Sequence, residues 1–269
     1  LLFNLETNEL LGRTKIPNRL SQNSERNEGL LMTPIVQTEG IYCERARVFI
    51  ADVIGYGLIT INRPYGWRLE GPYFAPDAKP KSAQVTILGD TFTLSDGLFG
   101  MALTPKIGNN PQYLAFRPFA SRNLYAATVD NILATNFGEK LHYYNFTDVF
   151  PSQTTAQAFS SEATLFFGIT EQIAIGCWNQ YRNLVPENIK IVAQDDETLQ
   201  FASGVKVIPK SITGTEEKLL VATNRYQKIA LGTMNFNESN FRILTQSVQK
   251  LIRGTKCEAP RAIKEQIMC

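Results

Sequence analysis

An all-β fold of the propeller type is what this sequence predicts, and three observations carry the expectation. A hairpin of two apolar, β-branched strands recurs, beginning at Val48, Tyr113, Leu165 and Leu219, at intervals of about fifty to sixty-five residues, close to the spacing of propeller blades. Strands rich in small residues precede such hairpins, as at residues 96–103 (DGLFGMAL) and 201–207 (FASGVKV), and first strands crowded around an axis leave no room for large side chains. Helical periodicity is scarce, residues 247–253 (SVQKLIR) being the one stretch that suits a helix of one turn or two.

Taken in order, residues 1–16 read as two short strands around the turn Glu6-Thr7-Asn8-Glu9, so the chain opens in mid-hairpin. Residues 17–30 are polar and loop-like, and an apolar run at 30–36 ends in Gln37-Thr38-Glu39-Gly40. Residues 47–62 (RVFIADVIGYGLITIN) form a hairpin whose turn carries Gly55 and Gly57, followed by an outer strand at 67–69. The same shape returns at 113–129, at 165–179 and at 219–233 (LLVATNRYQKIALGT), the last followed by an outer strand at 241–245. Residues 192–207 organise the rest: the acids Asp195, Asp196 and Glu197, then Thr198, run directly into a small-residue strand. The acids suit a solvated turn; they also suit a turn at the mouth of a central cavity.

With 269 residues, 43% hydrophobic and 19% charged, the chain can bury a sizeable core, read as a single domain over 1–269. A net charge of +2 without a basic run gives no reason to expect nucleic acid or an anionic membrane as partner. No apolar run approaches the roughly 20 residues that span a bilayer. The chain starts at Leu1 with no initiator Met, which suits a mature product or a piece of something longer. Cys43, Cys177, Cys257 and Cys269 allow three pairings, and sequence does not choose among them. The sequons Asn145-Phe-Thr147 and Asn237-Glu-Ser239 fit glycosylation of a secreted protein.

No catalytic constellation stands out. His142 is the single histidine, with no partner at metal-ligand spacing, so no metal is expected, and a nucleophile elbow, phosphate loop and dinucleotide fingerprint are all missing, so no cofactor is expected. Binding is favoured over covalent chemistry. If the blades form a ring, polar residues converge at the inner strand ends: Ser203 on an innermost strand, and Asn224 with Tyr226 on the next. Oxygen acceptors and an aromatic face attract a protonated amine. The plainer reading is Asn in a turn and Tyr as filler, with Trp178 packing a blade.

At IADVIGYGLI (50–59), DGLFGMALTP (96–105), LFFGI and IGCWN (165–179), VAQDDETLQF (192–201), ATNRYQ (222–227), and NFRILT with GTKCE (240–258), the chain resembles the yellow and major royal jelly proteins of insects. The resemblance runs collinearly over nearly the whole length. It implies a six-bladed propeller, secreted and often glycosylated, of which only about four blades and a partial one are present here. The remaining N-terminal blades would be cleaved off or supplied as a separate fragment. It implies a small amine or catechol ligand in the central channel, as in the sand fly salivary members that bind serotonin. Ser203, Asn224 and Tyr226 match the polar and Asn-x-aromatic positions, and Asp96 and Thr198 join them as candidate ligand contacts. It also implies a disulfide between Cys177 and Cys257, with Cys43 paired upstream of Leu1. Other members take part in melanisation, including dopachrome conversion, for which Asp52, Asp96 or the 195–197 cluster would supply the base. Royal jelly members are nutritional and sterol-associated, which leaves a structural or storage role as a further alternative.

Overall fold

The computed structural model describes residues 1–4, 6–39, 42–79, 81–261 and 263, with side chains at 39 and 42–45 outside the description, so the expectations for Cys43 and Cys269 lie outside the described residues. The chain opens with a small hairpin, β1 (Leu2–Phe3) against β2 (Leu10–Gly12), and one helical turn, α1 (Asn18–Ser21). A four-stranded antiparallel sheet follows in the order β3 (Leu31–Glu39), β4 (Tyr42–Asp52), β5 (Gly57–Asn62) and β6 (Tyr65–Glu70). A separate hairpin, β7 (Gln84–Ile87) and β8 (Asp90–Thr93), leads into the second sheet. That sheet is β9 (Leu98–Leu103), β10 (Tyr113–Pro118), β11 (Leu124–Thr128) and β12 (Tyr144–Phe146), with α2 (Val129–Ala134) between its last two strands. The third is β13 (Thr154–Phe159), β14 (Thr164–Ile169), β15 (Ala174–Asn179) and β16 (Lys190–Gln194). The fourth has three strands, β17 (Phe201–Ile208), β18 (Lys218–Asn224) and β19 (Phe241–Ser247), with α3 (Lys210–Thr213) and α4 (Tyr226–Ala230) in its connections. The helix α5 (Val248–Ile252) follows, its first turn capped by the Ser247 hydroxyl, which accepts from the Lys250 amide.

The first strands of the sheets pack on one another in sequence, β9 lying against β3 and β13, and β13 against β17. The sheets are therefore blades of a β-propeller, and each first strand is innermost, as the small-residue segments predict. Gly168 shows why small residues are needed. A Cβ there would lie 2.1 Å from the Thr155 hydroxyl oxygen and 2.7 Å from the Ala202 methyl, so β14 approaches β17 this closely only as glycine.

The core fills the wedges between blades. Phe49, Leu58, Leu98 and Phe116 pack between the first and second, and Leu124, Leu165, Phe167 and Trp178 between the second and third. A larger cluster joins the third and fourth blades to Val85, Ile87 and Phe92 of the β7–β8 hairpin. Each such side chain contributes about 1.5–3 kcal/mol by leaving water. Cys177 of β15 is bonded to Cys257, with Cα atoms 5.9 Å apart, which is the pairing the family resemblance implies. Among the described residues no helix is long and apolar enough to cross a membrane.

Three expectations need correction, and two features were missed. The fourth repeat is not a second hairpin of the same shape: its first half is β18, but YQKIA coils into α4, so Tyr226 stands on a helix and not on a strand. The apolar run at 30–36 does not end the strand there, because β3 continues to Glu39, with Gln37 paired to Arg47 of β4 and a register shift between Gln37 and Glu39. The polar stretch 17–30 holds α1, with Leu20 buried beneath it. The β7–β8 hairpin and α2 had no counterpart in the sequence reading.

Candidate functional site

The first strands begin at one end of the ring, and the polar residues of interest gather there. The amide of Gly97 donates to Val53 O in the β4–β5 turn (2.9 Å), and those of Phe119 and Ala120, in the β10–β11 turn, donate to Gly97 O (2.8 Å) and Asp96 O (3.0 Å). These bonds hold Asp96 between two blades, at the head of β9. Gly97 makes the passage possible, since a Cβ would sit 2.4 Å from the Tyr56 ring and 2.5 Å from Phe74 O.

The Asp96 carboxylate is half-buried and has no hydrogen bond or ion pair to any described residue, and burial pushes its pKa up to about 6. Beside it rises an aromatic stack: Tyr226 lies on Phe201 with ring centres 4.9 Å apart at 24°, Phe92 touches Tyr226 at 5.6 Å, and Phe119 backs Phe201 at 6.0 Å. The Tyr226 phenol is raised first by burial and then by the charge of Asp96, which places the two groups in each other's field. Asn224 ends β18 directly opposite Phe201, and its Oδ1 is buried without a donor among the described residues. Gln227 donates from Nε2 to Gln200 Oε1 (2.7 Å), leaving its own Oε1 buried and unbonded. The region thus offers the Asp96 carboxylate and the half-buried Tyr226 ring beside half-buried Asn224, while Phe92, Phe119, Phe201 and Gln227 are buried behind them. Such a set suits an ammonium group joined to an aromatic ring.

The structure brings Asp96, Asn224 and Tyr226 to this end and gives the other two candidates local work. Ser203, on the innermost strand, donates from Oγ to Ala222 O across the sheet (3.3 Å) beside a register shift between Phe201 and Gly204. Thr198 donates from Oγ1 to Asp195 Oδ1 (2.7 Å), and its carbonyl accepts from Thr223 Oγ1 (2.6 Å). The acidic cluster is the solvated turn of the plainer reading: Asp195 is exposed, and hydrogen bonds from the Thr198 hydroxyl and amide hold its carboxyl below the usual range. Glu197 pairs with Arg242 at 3.0 Å. Asp52 is fully buried and structural, accepting on Oδ1 from the amides of Leu30 (2.7 Å) and Gly55 (2.9 Å) and on Oδ2 from Arg68 Nη1 (2.7 Å). Of the three possible bases, Asp96 alone is both sheltered and unpaired.

Sequence reasoning missed Phe92, Phe119 and Gln227. Phe92 was findable from Leu88-Gly89, both at positive φ, which turn the β7–β8 hairpin so that alternate residues Val85, Ile87 and Phe92 face inward. His142 is exposed, its amide donating to Asn131 Oδ1, and Trp178 packs between blades as expected.

A family model described as "Major royal jelly protein" matches residues 1–257. Among individual proteins, major royal jelly protein 9 of Apis mellifera is 38% identical over 269 residues, taking in 97% of this chain and 62% of that protein. Major royal jelly protein 7 of the same organism is 37% identical, over 96% of this chain and 59% of that one. The chain therefore spans about three fifths of the length of the curated relatives it matches. Among solved structures, Kuenenia stuttgartiensis hydrazine synthase is similar at a TM-score of 0.44 and 8% identity, over 76% of this chain and 44% of that one, and nothing further rests on that likeness.

Proposed function

The chain belongs to the major royal jelly protein family, and from that premise we propose that it is an extracellular propeller that binds a small amine or catechol-like molecule at the axial end of its inner strands. The observation that carries this reading is the half-buried, unpaired Asp96 carboxylate beside the Tyr226–Phe201 stack. A protonated amine supplies the counter-charge that the Asp96 carboxylate lacks, and a sheltered cation over the Tyr226 ring contributes about 0.5–2 kcal/mol more. The Cys177–Cys257 disulfide favours an oxidising compartment, and Asn145 and Asn237 are both exposed, as glycan acceptors must be.

A second reading has its own observation. A sheltered carboxyl titrating at about 6 is suited to take a proton near neutral pH, so Asp96 would serve a dopachrome-converting isomerase as general base. Calorimetry with serotonin, dopamine and histamine, run beside a dopachrome decay assay, separates the two. Saturable heat without turnover supports the binder. Turnover above a boiled control that is lost in Asp96→Asn supports the enzyme, and neither heat nor turnover supports a storage role.

A further inference from the structure

A cavity of about 400 Å³ opens between the second and third blades, away from Asp96, and its origin lies in the strand register. Across the second blade, Ala102, Ala115, Ala126 and Tyr144 stand abreast on β9 to β12, and Ala115 and Ala126 present methyl groups to the cavity where larger side chains would fill the wedge. Across the third blade the facing row is Phe159, Leu165 and Trp178. One wall is thus recessed while the other is built of rings.

The polar atoms of that wall are already satisfied. Trp178 donates from Nε1 to Arg182 O at 3.0 Å, which leaves its ring free to meet a ligand through its face. Tyr113 and Tyr144 close the rim with centres 6.0 Å apart, and Phe146, Phe159 and Tyr181 complete the aromatic lining. None of the described lining residues carries a charge. An anion would enter such a space without compensation for its lost hydration, whereas rings offset against rings attract one another. The volume falls in the range of small-molecule sites.

We infer that this inter-blade cavity is a binding site for an uncharged, planar aromatic molecule of two or three rings, separate from the axial site. Three features carry it: the alanine recess, the ring walls and the lack of charge. The test is a fluorescence titration of the purified protein with N-phenyl-1-naphthylamine, an uncharged probe that brightens in apolar surroundings. Saturable binding at one site per chain is expected. Ala126→Leu, which fills the recess from β11, should raise the dissociation constant at least tenfold, while Asp96→Asn leaves it unchanged. Tyr144→Ala, at an exposed rim position, should weaken binding as well and serves if the leucine variant does not fold. Overturning results are the absence of saturable binding, unaltered affinity in folded Ala126→Leu or Tyr144→Ala protein, or equal affinity for the anionic analogue 8-anilinonaphthalene-1-sulfonate.

Discussion

Asp96 carries a penalty whenever it is ionised. Its pKa in the fold is about 6, against 3.8 for an ordinary Asp, so the protein is more stable with the group protonated, and this advantage fades as pH rises from about 4 to about 6. Asp96→Asn should therefore melt at a higher temperature than the parent at pH 7.5 and at the same temperature at pH 3.5. Amine binding has the opposite dependence, because it needs the carboxylate: affinity measured by calorimetry should fall as pH drops below about 6. Arg117 shows a second sheltered charge. It is wholly buried, donating from Nη2 to Thr155 O (2.6 Å) and stacked near Phe150 and Phe167, while Nε and Nη1 have no acceptor among the described residues. Burial lowers its pKa to about 9, so it stays charged at neutral pH. A buried charge with one hydrogen bond and no ion-pair partner among the described residues costs more in lost hydration than it returns, so Arg117→Met should hold or raise the denaturation midpoint. That Asp96, Asn224 and Tyr226 belong to one end of the ring was legible from their place in the motifs. Arg117 was not, since an Arg inside an apolar strand gives no sign of whether it faces water or the next blade.

Among the elements, the blade hairpins were legible because apolar and β-branched runs break at glycine or at polar pairs, as in residues 47–62 and 165–179. The short helix α4 was not, because RYQKIAL suits a strand or a helix equally and its neighbours decide. Lys228 pairs with Asp90 of β8 at 2.6 Å, while Tyr226 lies between Phe92 and Phe201, contacts made by sequence more than 20 residues away. The disulfide acts at the same scale. Cys177 and Cys257 are 80 residues apart, and closing a loop of that length in the unfolded chain is worth about 4 kcal/mol. Cys257→Ser should lower the unfolding free energy by roughly that amount in a urea titration, provided the transition remains two-state.

At the scale of the molecule, the repeat interval and the small-residue first strands predicted a propeller, and the successive packing of β3, β9, β13 and β17 is that arrangement. What the repeats could not convey is which residues meet around the axis, since Asp96, Phe119, Phe201 and Tyr226 come from separate turns, strands and a helix that only the ring brings together. The inter-blade cavity was equally hidden: each alanine looks like ordinary strand filler until register sets three of them abreast. The most direct test of the axial site is a crystal structure of the protein grown with serotonin at pH 7.5. The expected map shows the ammonium nitrogen within hydrogen-bonding distance of the Asp96 carboxylate and the indole against Tyr226. A map with no ligand at that end of the ring, or with serotonin bound elsewhere and Asp96 untouched, would contradict it.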